Sequence, residues 1–219
     1  MARPLVIAYH IVWTAYGWWL PNDPRGSMSR KVRRPAVEEL GDPHYGRRAA
    51  QPSARAVRQF YARAREALAF PLLEIGDAER AVVGEAFAET AAARRYTCYV
   101  CAVMPDHVHM VVRKHRDKAE QIIEAFQDAS RLRLRRAGLR SPDHPVWSKG
   151  GWKRFLDRPE DVRSTIAYIE GNPAERGLPP QAWPFVVPYD GWPLHPGHNP
   201  LSPYARRLRG ASDEKDNGR

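Results

Sequence analysis

Two β-rich segments of this 219-residue chain are separated by only a short turn, Met104-Pro105-Asp106. Residues 96–103 read Tyr-Thr-Cys-Tyr-Val-Cys-Ala-Val, and residues 107–113 read His-Val-His-Met-Val-Val-Arg. β-Branched and aromatic side chains favour strands, and so short a connection can join only antiparallel neighbours. The sequence therefore predicts a hairpin, and any fold of this chain must accommodate it in a sheet.

Further strands and helices flank the hairpin. Residues 5–14 and 146–156 are predicted strands, the second broken at Gly150-Gly151. Helices are predicted over 53–70, 77–95 and 118–137, and from Pro159 to Gly171-Asn172-Pro173. This order predicts an α+β fold with a ferredoxin-like antiparallel sheet whose helices cover one face.

The chain reads as one domain with an insertion and a tail. Residues 1–178 form the predicted domain, in which 26–70 is a basic insertion plus an extra helix. Residues 179–219 are a Pro- and Trp-rich extension that ends in a tail predicted to be disordered.

The composition favours a polyanionic partner. The net charge is +10 and the pI is about 9.9, which suits contacts with nucleic-acid phosphates, although a basic protein without such a partner has the same balance. No apolar run is long enough to span a membrane, and the N-terminus does not resemble a signal peptide. With only two cysteines, the composition predicts a cytoplasmic protein.

His107-Val108-His109 is the first chemical motif. Side chains two apart on a strand point to the same face, so the two imidazoles can chelate one metal ion. A His-x-His motif alone is more often two unrelated histidines, because short motifs match by chance.

Tyr168 and Asn172 form the second motif. They are four residues apart on a predicted helix and share one face, where a phenol can act as a nucleophile and an amide as a ligand. In the alternative interpretation, Tyr168 is a core residue and Asn172 is the C-cap before Pro173.

Three segments together resemble a known family. They are 104–112, which reads Met-Pro-Asp-His-Val-His-Met-Val-Val, 168–173, which reads Tyr-Ile-Glu-Gly-Asn-Pro, and 13–26, which reads Trp-Thr-Ala-Tyr-Gly-Trp-Trp-Leu-Pro-Asn-Asp-Pro-Arg-Gly. The chain resembles the single-tyrosine HUH transposases, and among them the REP-associated tyrosine transposases (RAYT), over about residues 5–178.

The resemblance implies a fold, a metal and a reaction. It implies the HUH endonuclease fold, Mg²⁺ or Mn²⁺ bound by His107, His109 and Asn172, and Tyr168 as the nucleophile that leaves a 5′-phosphotyrosine and a free 3′-hydroxyl. The implied activity is cleavage and strand transfer of single-stranded DNA beside REP-like hairpin repeats in transposition, by a monomer or a homodimer. Asp106 departs from the asparagine common in the family, and the insertion is longer than the family fold requires.

Basic and aromatic side chains are the candidate DNA contacts. The predicted phosphate contacts are Arg113, Lys114, Arg131, Arg133, Arg135, Lys149, Lys153 and Arg154. Trp18, Trp19, Trp147 and Trp152 can stack on unpaired bases. For any one basic residue a solvated face is an equally good interpretation, and for any one tryptophan core packing is the better interpretation.

Two other functions compete with this one. Cys98 and Cys101 with His107 and His109 offer the four ligands of a zinc-stabilised module. Residues three apart on a regular strand point to opposite faces, which argues against that module. The second alternative is a nucleic-acid-binding protein in which catalysis is dispensable.

Overall fold

The computed structural model describes residues 5–27, 29, 32, 35–193, 200–202, 205–206 and 209. Its elements, in chain order, are β1 (Ala8–Thr14), α1 (Pro35–Glu38), α2 (Ala54–Ala67), α3 (Asp77–Arg94), β2 (Cys98–Val103), β3 (His107–Arg113), α4 (Ala119–Arg136), β4 (Trp152–Leu156) and α5 (Pro159–Glu175).

The four strands form one antiparallel sheet in the order β2-β3-β1-β4. The hairpin predicted from the short turn pairs β2 with β3, and β1 lies beside β3 with Val12 opposite His109. The strand order is that of a ferredoxin-like sheet, so the predicted α+β class is confirmed.

The helices are divided between the two faces of the sheet. Tyr9, Ile11 and Trp13 of β1 point to the face that packs against α3 and α4, in the larger hydrophobic core. Ala8 and Val111 point to the other face, in a smaller core that includes Ile169 of α5. The prediction that the helices cover a single face is therefore wrong for α5. Both faces of the central strands carry apolar side chains, so helices must shield each face from water.

A β-bulge at Tyr99 changes the direction of the side chains in β2. Cys98 pairs with Val112 and Val100 with Val111, so the register shifts by one residue between them. Both cysteines consequently point into the larger core, and the expectation that they point to opposite faces is wrong.

The last helix is longer than the sequence indicated. We expected α5 to stop at Gly171-Asn172-Pro173, because proline disrupts a helix interior. Instead it continues through a buried Pro173 to Glu175 and is followed by Gly177, whose φ of 67° suits a helix terminus. Asn172 is thus an interior helix residue.

The predicted break before β4 is confirmed. Gly150 has a φ of 80°, and a Cβ atom on Gly151 would lie 2.6 Å from the carbonyl oxygen of Val12. A side chain there would collide with the backbone of β1, so the glycine pair allows β4 to approach its neighbour.

The C-terminal extension lies along the free edge of β2. The side chain of Gln181 bonds the N–H and the carbonyl of Val103, and the Trp183 indole donates to the Cys101 carbonyl at 3.0 Å. Val187 N–H donates to the Cys98 carbonyl. Residues 181–187 thus cover the edge strand. The predicted disordered tail, 210–219, lies outside the described residues, and in the described part no helix is both long and apolar enough to cross a membrane.

Candidate active site

Three histidines lie together on the face of the sheet that α5 covers. His109 and His107 come from alternate positions of β3, and their ring centroids are 4.7 Å apart. His10 comes from β1, and its Nε2 lies 3.0 Å from Nδ1 of His109. The predicted pairing of His107 with His109 therefore holds, and β1 adds a third ring.

In both β3 histidines the Nδ1 atom is already engaged. Nδ1 of His107 lies 2.7 Å from Oδ1 of Asp106, a carboxylate that can only accept, so Nδ1 carries the proton. Nδ1 of His109 is paired with His10. Among the described residues neither Nε2 has a hydrogen-bond partner. Each ring therefore has a free Nε2 and a fixed orientation, as in metal sites whose ligating histidines are held by outer groups.

Burial keeps the inner histidines neutral. Desolvation, with a smaller contribution from the charge of His107, lowers the pKa of His109 to about 2. Desolvation and the charge of Arg154 lower the pKa of His10 to about 4. At neutral pH both rings are uncharged, which is the form of imidazole that binds metal ions.

Asp106 is the turn residue just before β3 and is almost completely buried. Burial alone would raise the pKa of its carboxyl group. The hydrogen bond from His107, the charge of His107 and the guanidinium groups of Arg176 and Arg25 together hold that pKa below its usual value. Asp106 is therefore an ionised acceptor that orients His107.

Tyr168 reaches the histidines from α5. Its ring centroid is 5.8 Å from that of His109, and the two rings are perpendicular. The side chain is 55% exposed, whereas its neighbour Ile169 is fully buried. The alternative in which Tyr168 is a core residue is therefore wrong, and its phenol is open to a substrate.

Asn172 lies one helical turn beyond Tyr168 and is 6% exposed. In the described part of the chain its side-chain amide has no hydrogen-bond partner. Its amide is therefore uncommitted on the helix face that carries Tyr168, which makes it a candidate third ligand.

The donor set fits a divalent ion that keeps open coordination positions. Two imidazole nitrogens and one amide oxygen leave room for oxygen ligands from water or a phosphate. The described residues contain no group of three or more His, Cys, Asp or Glu placed to hold a metal. The zinc module in particular is excluded, because the cysteines lie across the sheet from the histidines.

Only one predicted phosphate contact lies beside the histidines. Arg154 is paired with His10 across β1 and β4 and is exposed. Lys153 points to the opposite face and bonds Glu120 of α4. Arg131, Arg133 and Arg135 belong to α4, which covers that opposite face. Their DNA-binding roles stay predictions.

The remaining predicted contacts lie further away. Arg113 is the last residue of β3, and its guanidinium stacks on Trp192. It lies six residues along the strand from His107, a distance of roughly 20 Å. Lys114 follows it and lies against Tyr9 on the other face. Lys149 is exposed in the loop before β4.

Sequence reasoning missed His10, Arg176 and the orienting role of Asp106. His10 is a polar residue in the middle of a mainly apolar strand, and that position could have marked it as a candidate site residue. Arg176 follows α5 by one residue and donates to Oδ2 of Asp106 at 3.1 Å. Nothing in its local sequence indicates that contact, because it depends on how α5 packs.

The chain has similar proteins among solved structures. No protein-family profile and no curated protein matches the chain. Among solved structures, it is similar to a REP-associated tyrosine transposase bound to a REP hairpin, with a TM-score of 0.44 and 13% identity over 84% of this chain and 79% of that chain. It is also similar to a protein from Deinococcus radiodurans R1 described as a candidate transposase, with a TM-score of 0.36 and 13% identity over 78% of this chain and 94% of that one. At these TM-scores neither likeness bears on the chemistry of the site.

Proposed function

We propose that this chain is a metal-dependent endonuclease and strand transferase of single-stranded DNA, which acts in DNA transposition at REP-like hairpin repeats. The observation that carries the proposal is the pair of oriented imidazoles with free Nε2 atoms directly beside the exposed Tyr168. A cytoplasmic monomer is part of the proposal, and residues 181–187 support it by covering β2, one of the two edge strands at which a second sheet could pair.

The site divides its tasks between the sheet and α5. His107, His109 and Asn172 would hold Mg²⁺ or Mn²⁺, which when bound offsets the charge that grows on the phosphoryl oxygens. Asp106 and His10 hold the His107 and His109 rings in position through their Nδ1 atoms. Tyr168 stands on the solvent side, where a phosphodiester can reach it.

The proposed step is a transesterification. The phenolic oxygen of Tyr168 forms a bond to phosphorus as the bond from phosphorus to the 3′-oxygen breaks. The phenol proton passes to solvent, to which Tyr168 is open, and the leaving 3′-oxygen takes a proton from water. The product is a 5′-phosphotyrosine and a free 3′-hydroxyl, and the reverse step joins strands without an external energy source.

The deciding experiment detects the covalent link. Hairpin-bearing single-stranded DNA from the sequences flanking the gene is labelled and incubated with protein and Mn²⁺, and SDS-stable adducts are resolved by electrophoresis. Tyr168→Phe should abolish the adduct and leave DNA binding intact. Tyr45→Phe is the matched control, since Tyr45 is also 55% exposed but lies in the insertion. An adduct that persists in the Tyr168→Phe chain would show that another residue is the nucleophile.

A second experiment tests the metal. His107→Ala should lose cleavage together with saturable Mn²⁺ binding, measured by electron paramagnetic resonance. DNA binding without cleavage by the unaltered chain, at any Mn²⁺ or Mg²⁺ concentration, would favour the nucleic-acid-binding protein without catalysis.

A further inference from the structure

Two arginines act on Asp106 near the candidate metal site, one by a hydrogen bond and one through its charge. Arg176 of the segment after α5 donates to Oδ2 of Asp106, and its side chain is 53% exposed. Arg25 comes from the loop after β1, and its charge also helps to lower the pKa of Asp106. The Arg25 guanidinium stacks on Trp19 at 3.8 Å, and the Trp19 ring is 6.5 Å from that of His107.

A buried network holds Arg25 in place. Asp23 is completely buried, and its carboxylate accepts from the backbone N–H, Nε and Nη2 of Arg25. It also accepts from the hydroxyl of Tyr61 in α2. That hydroxyl in turn accepts from Trp19 N–H and from Nη2 of Arg25, each at 2.9 Å. Every polar atom of Asp23 and Tyr61 is thus satisfied within the network.

The network leaves one group of Arg25 uncommitted. Nη1 has no hydrogen-bond partner among the described residues, and the arginine side chain is 17% exposed above the fully buried Asp23. In both ion pairs the carboxylate is the inner member and the guanidinium the outer one. Neither a buried nor a half-exposed ion pair contributes much net stability, so stability alone does not explain this arrangement.

The backbone is strained at the same place. Trp19 has a φ of 54°, a left-handed conformation that a bulky side chain rarely adopts. Such strain persists only where the surroundings impose it, and it concentrates at functional sites. Here the Tyr61 hydroxyl of the inserted helix accepts from Trp19 N–H at 2.9 Å. The insertion therefore has a structural connection to the site.

We propose that Arg25 and Arg176 together bind a backbone phosphate of the DNA strand next to the phosphate that Tyr168 attacks, and that α2 serves to hold Arg25 for this contact. The inference rests on the proposed function for the identity of the strand. Guanidinium N–H groups donate strong, charge-assisted hydrogen bonds to phosphate oxygens, and Nη1 of Arg25 together with the Arg176 guanidinium would hold the strand near His107 and Tyr168.

Binding of a simple probe tests the contact without cleavage. Fluorescein-labelled oligothymidylate of 15 nucleotides is titrated with Mn²⁺ present, in the Tyr168→Phe background, and fluorescence anisotropy is followed across a salt series. Arg176→Gln should weaken binding about tenfold at low salt. It should also reduce the slope of log K against log salt by about 0.7, the value for one lost phosphate contact on a single strand. Arg163→Gln is the matched control, an exposed and ion-paired arginine of α5 about 20 Å away along the helix.

Arg25 requires a variant pair, because its loss alone leaves Asp23 charged and buried. Asp23→Asn is compared with Asp23→Asn/Arg25→Gln, so that the two chains differ only in the cation, and thermal unfolding confirms that both are folded. The double variant should show the same reduction in slope relative to the single variant.

The outcomes separate this inference from the proposed function. Unchanged slopes in both arginine variants overturn the phosphate contact, even if the Tyr168 adduct forms. Reduced slopes with no adduct in the unaltered chain support the contact and overturn the proposed chemistry.

Discussion

Replacing Asp106 by alanine tests how the site orients its histidines. The carboxylate is 3% exposed, lies 2.7 Å from Nδ1 of His107 and accepts from Arg176 at 3.1 Å. Asp106→Ala removes both bonds and leaves the backbone turn unchanged. The His107 ring then has no fixed tautomer, and its Nε2 no longer points in one direction.

The structure sets the size of both effects. A hydrogen bond to a charged, buried acceptor stabilises by about 1.5–3 kcal/mol, and a half-exposed ion pair by about 0.2–1 kcal/mol. We therefore expect the free energy of unfolding to fall by about 2–3 kcal/mol at pH 7. Loss of a group that orients a metal ligand weakens metal binding about 10–100-fold, and we expect that loss for Mn²⁺.

The assay is a Mn²⁺ titration followed by electron paramagnetic resonance, with urea unfolding on the same samples. Since the pKa of Asp106 is lowered in the folded chain, its stabilisation is complete above about pH 4, the pKa of an unfolded aspartate, and is lost below it. Asp106→Asn is the control, because its amide oxygen can still accept from His107. A folded Asp106→Ala chain that binds Mn²⁺ as tightly as the parent would refute the orienting role.

Three further predictions concern stability and reactivity. Folding lowers the pKa of His10 from 6.5 to about 4, so the unfolded chain takes up the proton first as the pH falls. The free energy of unfolding therefore declines between pH 6.5 and pH 4. His10→Gln should remove on the order of 3 kcal/mol of that decline, measured by urea unfolding at both pH values. Gly84→Ala should destabilise the chain by about 1–3 kcal/mol, because its Cβ would lie 2.1 Å from the Trp183 ring of the C-terminal extension. Gly171→Ala, whose Cβ would meet no other atom, should stabilise the chain by about 0.5–1 kcal/mol. Thermal unfolding of the two variants measures both effects. Burial raises the pKa of both cysteine thiols, so neither should react with a thiol reagent until the chain is denatured, and rapid reaction of the native chain would contradict their place in the core.

The parts of the fold that local pattern determines could be predicted. The short turn before His107 required a hairpin, and strand alternation put His107 and His109 on one face. The glycine pair at 150–151 marked the break before β4. Each of these depends on residues close together in the chain.

The parts that depend on packing between distant segments could not be predicted. His10 meets His109 only because of the register between β1 and β3, and no local motif encodes that register. The bulge at Tyr99 reversed the expected direction of a cysteine, since one extra residue breaks the period of two. The apolar residues on both sheet faces were visible in the sequence, but which helix covers which face was not.

The covered edge of β2 has a consequence for any shortened form of this chain. The segment Cys98–Val103 contains no charge and no proline, and its composition is that of sequences which stack into fibrils when exposed. The side chains of Gln181 and Trp183 occupy its outward backbone groups. A protein ending near residue 178 would retain the histidines, Tyr168 and Asn172, yet present a bare, uncharged strand to other copies of itself. The Pro- and Trp-rich extension therefore protects the edge of β2 from pairing with other copies of the chain. Its removal should lower solubility before it changes activity.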